Sequence, residues 1–240
     1  MKRVFALVLA CLVLLLPSAS TAAGRGVEQW TSHHRNVVGK VVRIMLQNYE
    51  QNAVTLESAW TITNVRSGEL VSRYDFSQPE QSLGPGETIQ WDWPQDDACY
   101  GICRNVREGQ PVGSGIYEAS VETSLGTSKV RFQIGRYFTI GFTSRPEAKF
   151  IVYVNTPDEV AQMEAEAAAE DKTLIVSGIV RSGQPYNPDW KFAMRPGSIV
   201  LGEMFIEVCD GSPYYVERNR DEWYGERWCP WSSYVEKVGR

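Results

Sequence analysis

The chain has 240 residues and a net charge of −5, with Lys and Arg spread thinly and no basic run. An acidic chain without a basic stripe argues against a nucleic-acid partner. Its two histidines, His33 and His34, are adjacent near the start, so neither a Ser-His-Asp triad nor a His-rich zinc site can be assembled from the rest of the sequence.

Met1-Lys2-Arg3 precedes an apolar run from Val4 to Leu16, then Pro17 and small residues through Ala23. A basic start, a short apolar core and an A-x-A-like end are the parts of a secretory signal peptide, with cleavage expected after Ala22 or Ala23. The run is short for a membrane span, and no later segment is a candidate. Val8-Leu9-Ala10-Cys11 resembles a lipobox, yet Leu12 to Leu16 continue the apolar core past the cysteine, which favours a freely released product over a lipid anchor. The expected location is secreted or periplasmic. His33 and His34 read as part of a solvated segment.

From Val41 to Ile134 one signal recurs: Val42, Ile44 and Leu46; Val54, Leu56, Trp60 and Ile62; Leu70, Tyr74 and Phe76; Ile89, Trp91 and Trp93; Tyr117, Ala119 and Val121; Val130, Phe132 and Ile134. Apolar residues at period two predict half-buried antiparallel strands. Ser67-Gly68, Leu83-Gly84-Pro85-Gly86, Gly113-Ser114-Gly115 and Gly126 supply the turns between them. Six or seven short strands at this spacing predict an immunoglobulin-like sandwich over 24–136. LGPGE (83–87) and GSGIYEASV (113–121) resemble the Ig-like, proteinase-inhibitor-type domains of bacterial proteins. The irregular stretch from Trp91 to Gln110 carries Asp92, Asp96 and Asp97 without EF-hand spacing, and reads as a solvated acidic loop and not a calcium site.

Past Gly135 the pattern changes. Phe150 to Val154 is apolar on both faces, as a central strand requires. Thr156, Pro157 and Glu159 predict a capped helix start with a capping box, leading into DEVAQMEAEAAAED. Leu174 to Val180 is a second two-sided strand. Trp190, Phe192 and Met194, then Ile199 and Leu201, then Met204, Ile206 and Val208 predict further strands. Ser212-Pro213 opens a last helix reaching about Arg220. Strand, helix and several strands over 137–240 predict an α+β domain, so the whole is a mainly β chain with a small α+β unit at its end.

Cys99, Cys103, Cys209 and Cys229 remain after leader removal. An even set in an exported chain reads as a disulfide framework. Of three possible pairings, Cys99–Cys103 and Cys209–Cys229 keep each bridge within one predicted domain. The gaps do not match the paired C-x-x-C spacing of zinc sites, so no metal and no cofactor is expected.

VSGIVRSGQPYNPDWKF (176–192), FIEVCDG (205–211), YYVE (214–217) and WCPWSSYV (228–235) resemble one small family, the N-terminal domain type named after a slime-mould calmodulin-binding protein and also found in secreted bacterial proteins. The resemblance covers about 137–238. It implies a fold and no catalytic residues. Calmodulin binding is not carried over, because an exported chain does not meet cytosolic calmodulin. Tyr186, Asn187 and Trp190 enter a strand through a turn, and Trp228 and Trp231 flank Cys229. These aromatics form either a core stapled by the bridge or a platform for a sugar ring or a peptide. The resulting expectation is a secreted, non-enzymatic binding protein whose protein, peptide or carbohydrate ligand meets Tyr186, Asn187, Trp190, Trp228 and Trp231. Its alternatives are a proteinase inhibitor acting through a loop of the first domain, and a carboxylate-based hydrolase using Glu203, Glu207 and Asp210.

Overall fold

A computed structural model of the chain describes residues 26–103 and 109–239. The leader, its cleavage point and Cys11 lie outside them. In chain order the first strands are β1 (Val27–Thr31), β2 (Arg35–Val37), β3 (Val42–Asn48), β4 (Val54–Asn64), β5 (Leu70–Leu83), β6 (Thr88–Trp93), β7 (Cys99–Gly101) and β8 (Gly115–Thr123). The 17-residue β9 (Gly126–Phe142) follows, then β10 (Phe150–Val154), α1 (Pro157–Ala168), β11 (Ile175–Ser182), β12 (Phe192–Met194) and β13 (Val200–Gly202). The chain ends with α2 (Pro213–Arg218), α3 (Arg220–Trp223), β14 (Arg227–Trp228) and β15 (Ser233–Val238).

The mainly β reading holds. A three-stranded sheet, β1-β3-β6, faces the β8, β4, β5 and β7 part of an eight-stranded sheet in a sandwich-like arrangement. The period-two residues point inward as expected: Val42, Ile44, Leu46, Leu56, Trp60, Ile62, Trp91, Trp93, Tyr117, Ala119, Val121, Phe132 and Ile134 make one buried cluster. Polar residues between them face solvent, which is how one face of an antiparallel sheet is buried and the other wetted.

A second cluster gathers Phe138, Ile140, Phe142, Phe150, Val152, Val176, Val180, Phe192 and Trp228, with Val160 and Met163 of α1. The two clusters are not separate in the chain. β9 pairs with β8 over 126–134 and then with β10 and β15 over 136–142. The expected division at 136/137 therefore falls inside one continuous strand. Gly135 sits at the crossing, where an added Cβ would lie 2.1 Å from the carbonyl oxygen of Val154. No side chain fits that approach.

The arm from His33 to Lys40 is partly built in. His33 and His34 are exposed, as expected. β2, just after them, pairs in parallel with Gln133–Gly135 of β9. The buried hydroxyl of Tyr153 donates to the Asn36 carbonyl at 2.8 Å, and the Arg35 guanidinium donates to Gln184 at 2.9 Å and lies over the Tyr186 ring. The first part of the chain thus clasps the second.

Two local expectations are corrected. Met204, Ile206 and Val208 do not form a strand: β13 stops at Gly202, and the segment turns into a 3-10 helix at Glu207–Cys209. The three side chains are 82%, 71% and 80% exposed, because no neighbouring strand is available to pair with and Cys209 is held against Cys229. The capping box at α1 also does not form. Thr156 occupies the N-cap without a side-chain bond, while Ser212 at α2 does accept from the Tyr215 N–H. Both expected disulfides are present, Cys99–Cys103 and Cys209–Cys229. Among the described residues no helix is long and apolar enough to cross a membrane.

Candidate functional site

Four of the five residues expected to line a ligand contact are interior. Trp228 is fully buried, packs on Phe142, Phe150 and Phe192 with centroids 5.3–6.0 Å away, and donates its ring N–H to the Gly211 carbonyl at 2.8 Å. Asn187 is 2% exposed; its Oδ1 accepts from the Ile151 N–H at 3.0 Å and its Nδ2 donates to the Phe192 carbonyl at 3.3 Å. Tyr186 packs with Tyr137, Tyr153 and Ala193 in a small third cluster. Burying an amide or an indole N–H requires a partner; for Asn187 and Trp228 the partners are main-chain groups of the fold. A shared platform of all five is therefore corrected to a core, with its aromatics packed around the Cys209–Cys229 region. Trp231 stands apart, 45% exposed, with its backbone N–H held by Asp210 Oδ1 at 2.8 Å.

Trp190 is the interior member that still reaches the surface. Its indole N–H donates to the Lys149 carbonyl at 2.7 Å, which pins the turn after β11 to the loop between β9 and β10. One edge of the ring meets Tyr214 of α2, centroids 5.2 Å apart at 59°. Trp190 and Tyr214 wall a cleft of about 310 Å³ whose rim carries Glu147, Lys149, Asp189 and Glu217. Glu147 and Asp189 are exposed and make no ion pair with any described residue. Lys149 is engaged elsewhere: its ammonium binds Glu236 at 2.7 Å, and that hydrogen bond raises its pKa. Glu217 is fixed by the Lys191 N–H at 3.0 Å. The cleft therefore presents aromatic rings under an excess of negative charge.

Sequence reading passed over Tyr214, Glu217 and Glu147. Tyr214 lay inside the YYVE string, where it looked like one more turn residue of a short helix. Glu147 comes from a loop far before Trp190 in the chain, and only the β9–β10 hairpin brings it there. The hydrolase candidates do not converge on a pocket: Glu203, Glu207 and Asp210 are all exposed, along the segment that leaves β13. Asp75, Cys99 and Cys103 lie close together, but both sulfurs are taken up in the bridge.

No curated protein is significantly similar to the chain. Solved structures that overlap it include a mutant beta-glucosidase from Listeria innocua in complex with laminaribiose, at 14% identity and a TM-score of 0.26. A beta-glucosidase from the same organism in complex with glucose overlaps at 13% and 0.25. Each overlap covers 45% of this chain and 16% of the other, so the chain spans about a sixth of those proteins, and at such scores neither bears on its fold or its activity. The family comparison is specific and falls where the YNPDW and WCPWSS strings lie. Residues 136–239 match the family described as the N-terminal domain of calmodulin-binding protein 74, and this second part of the chain is a domain of that type.

Proposed function

We propose that the chain is an exported, non-catalytic binding protein that takes a cationic side chain of a peptide or protein into the Trp190–Tyr214 cleft. The observation that supports it is the pairing of two aromatic rings with the unpaired carboxylates of Glu147 and Asp189 around one opening. A lysine or arginine head group gains from both, by attraction to the ring faces and to the carboxylates in a partly desolvated rim. A stacked sugar ring is less well served, because Trp190 is only 7% exposed and offers an edge, not an open face. The leader pattern and the two disulfides support export.

Penta-lysine and penta-arginine titrated against the purified protein should quench tryptophan fluorescence saturably and more weakly at high salt. Chitotriose should not. Tyr214→Ala and Asp189→Asn change exposed groups and should each weaken the peptide by about three- to tenfold with the melting temperature retained, as a contact of about 1 kcal/mol implies. Equal binding by both variants, or a preference for the sugar, would sink the reading.

A further inference from the structure

A second cleft lies where the end of β4 and the strands β8 and β9 meet the end of β10, and we infer that it is a binding site for an apolar side chain of a peptide together with its flanking main-chain amide groups. Its volume is about 340 Å³, at the small end of ligand pockets. Val65, Ile116, Pro157 and Pro196 give it aliphatic walls. Val65 and Ile116 are 36% and 42% exposed, so the walls are open to an incoming group. This opening is distinct from the Trp190 cleft and shares no lining residue with it.

The polar groups are what make it a site. Asn155, directly after β10, is 6% exposed and lines the cleft, yet its Oδ1 has no hydrogen-bond partner. Gln133 of β9 lines the same cleft, and its Oε1 is likewise buried and unpartnered. Buried polar atoms are almost always satisfied, and each exception calls for a reason. Two in one cleft, from the two halves of the molecule, call for a common one. The neighbouring amides show the contrast: Asn36, Asn48 and Asn187 are similarly buried and each is bonded to the main chain.

The chemistry of the lining selects the ligand. There is no carboxylate for a cation to meet and no aromatic ring for a sugar to stack on; Arg66 is the one charged lining residue, and it is exposed. Two amide side chains set in aliphatic walls complement peptide groups. An Asn or Gln amide offers one carbonyl and one NH₂, and a peptide group presents the matching N–H and C=O whichever way the amide is turned. An aliphatic side chain then covers Val65 and Ile116, as an apolar surface prefers.

The test uses the full chain, 15N-labelled, titrated with N-acetyl-leucinamide and, in parallel, with methyl glucoside. The peptide probe should shift the Asn155 side-chain NH₂ resonances and the backbone amides of Gln133 and Ile116 saturably; the glucoside should not. Asn155→Leu should weaken the probe at least tenfold while raising the melting temperature of the free protein, because an unpartnered buried amide is removed. A merely structural amide would do the reverse. Should Asn155→Leu fail to fold, Ile116→Lys, at an exposed wall, should give the same tenfold loss with the melting temperature retained. Absence of saturable shifts at these resonances, equal shifts with the glucoside, or an Asn155→Leu protein that melts lower overturns the assignment. Tyr214→Ala should leave the probe's affinity unchanged, which separates this site from the Trp190 cleft.

Discussion

Asn187 carries the difference between a binding residue and a folding residue. Its amide ties β10 to β12, accepting from the Ile151 N–H and donating to the Phe192 carbonyl. Replacing it by Ala strands both groups in an apolar setting, and Asn187→Ala should lower stability by about 3 kcal/mol in urea unfolding. A loss below about 1 kcal/mol would mean that water reaches both groups and that the amide is free for other work. The YNPDW string was legible as a turn entering a strand, and that is where it lies. Whether its side chains face in or out was not legible, because a turn has no hydrophobic period to read. Tyr153 makes a second point. Burial pushes its pKa far up, and its hydroxyl donates to Asn36. The folded state keeps this proton above about pH 10, where an unfolded tyrosine gives it up, so the stability it contributes is complete below that pH and is lost as pH rises past it. Unfolding free energy should fall with a slope of up to about 1.4 kcal/mol per pH unit from this group above about pH 10. Tyr153→Phe should flatten the decline by one proton's share, measured by urea unfolding from about pH 9 to about pH 11; an unchanged slope would show that the hydroxyl is solvated.

At the scale of elements, local signals served where one bond or one face decides the outcome. The alternating runs from Val42 to Ile134 became strands because each had a partner of matching period. The run Met204, Ile206, Val208 had the same period and no partner, and it became an exposed segment. Alternation states which face a strand would bury and is silent on whether another strand is there. The helix starts separate in the same way. Ser212 accepts the Tyr215 N–H, whereas Thr156 makes no side-chain cap bond although the TPDE sequence promises one. Ser212→Ala should therefore lower stability by about 1 kcal/mol and Thr156→Ala by a few tenths at most. Thermal melts of the two variants side by side check this; equal losses would place a working cap at Thr156.

For the molecule as a whole, the two compositions of the sequence, an alternating β part and a mixed part with the PYNPDW and WCPWSS strings, correspond to two buried clusters. The join between them was not legible. VRFQIGRYFTIGF reads as strand, glycine, strand, and the glycine looked like a boundary when it is the point where β9 passes from one cluster to the next. It is small because β10 crosses there, not because the chain turns. With β9 shared, β2 laid along Gln133–Gly135 and Tyr153 bonded across to Asn36, unfolding one cluster removes a strand from the other. The intact protein should therefore melt in a single transition, seen alike by calorimetry and by tryptophan emission, with Trp60, Trp91 and Trp93 reporting on one cluster and Trp190 and Trp228 on the other. Gly135→Ala forces a Cβ toward the Val154 carbonyl, a backbone atom that cannot swing aside. The variant should lose about 1–3 kcal/mol and, because the strain falls on the shared strand, separate the melt into two steps. Two transitions in the unmodified protein would mean that the shared strand does not couple the clusters, whereas a Gly135→Ala protein that melts lower in one step would place the strain in the fold generally and not at the crossing.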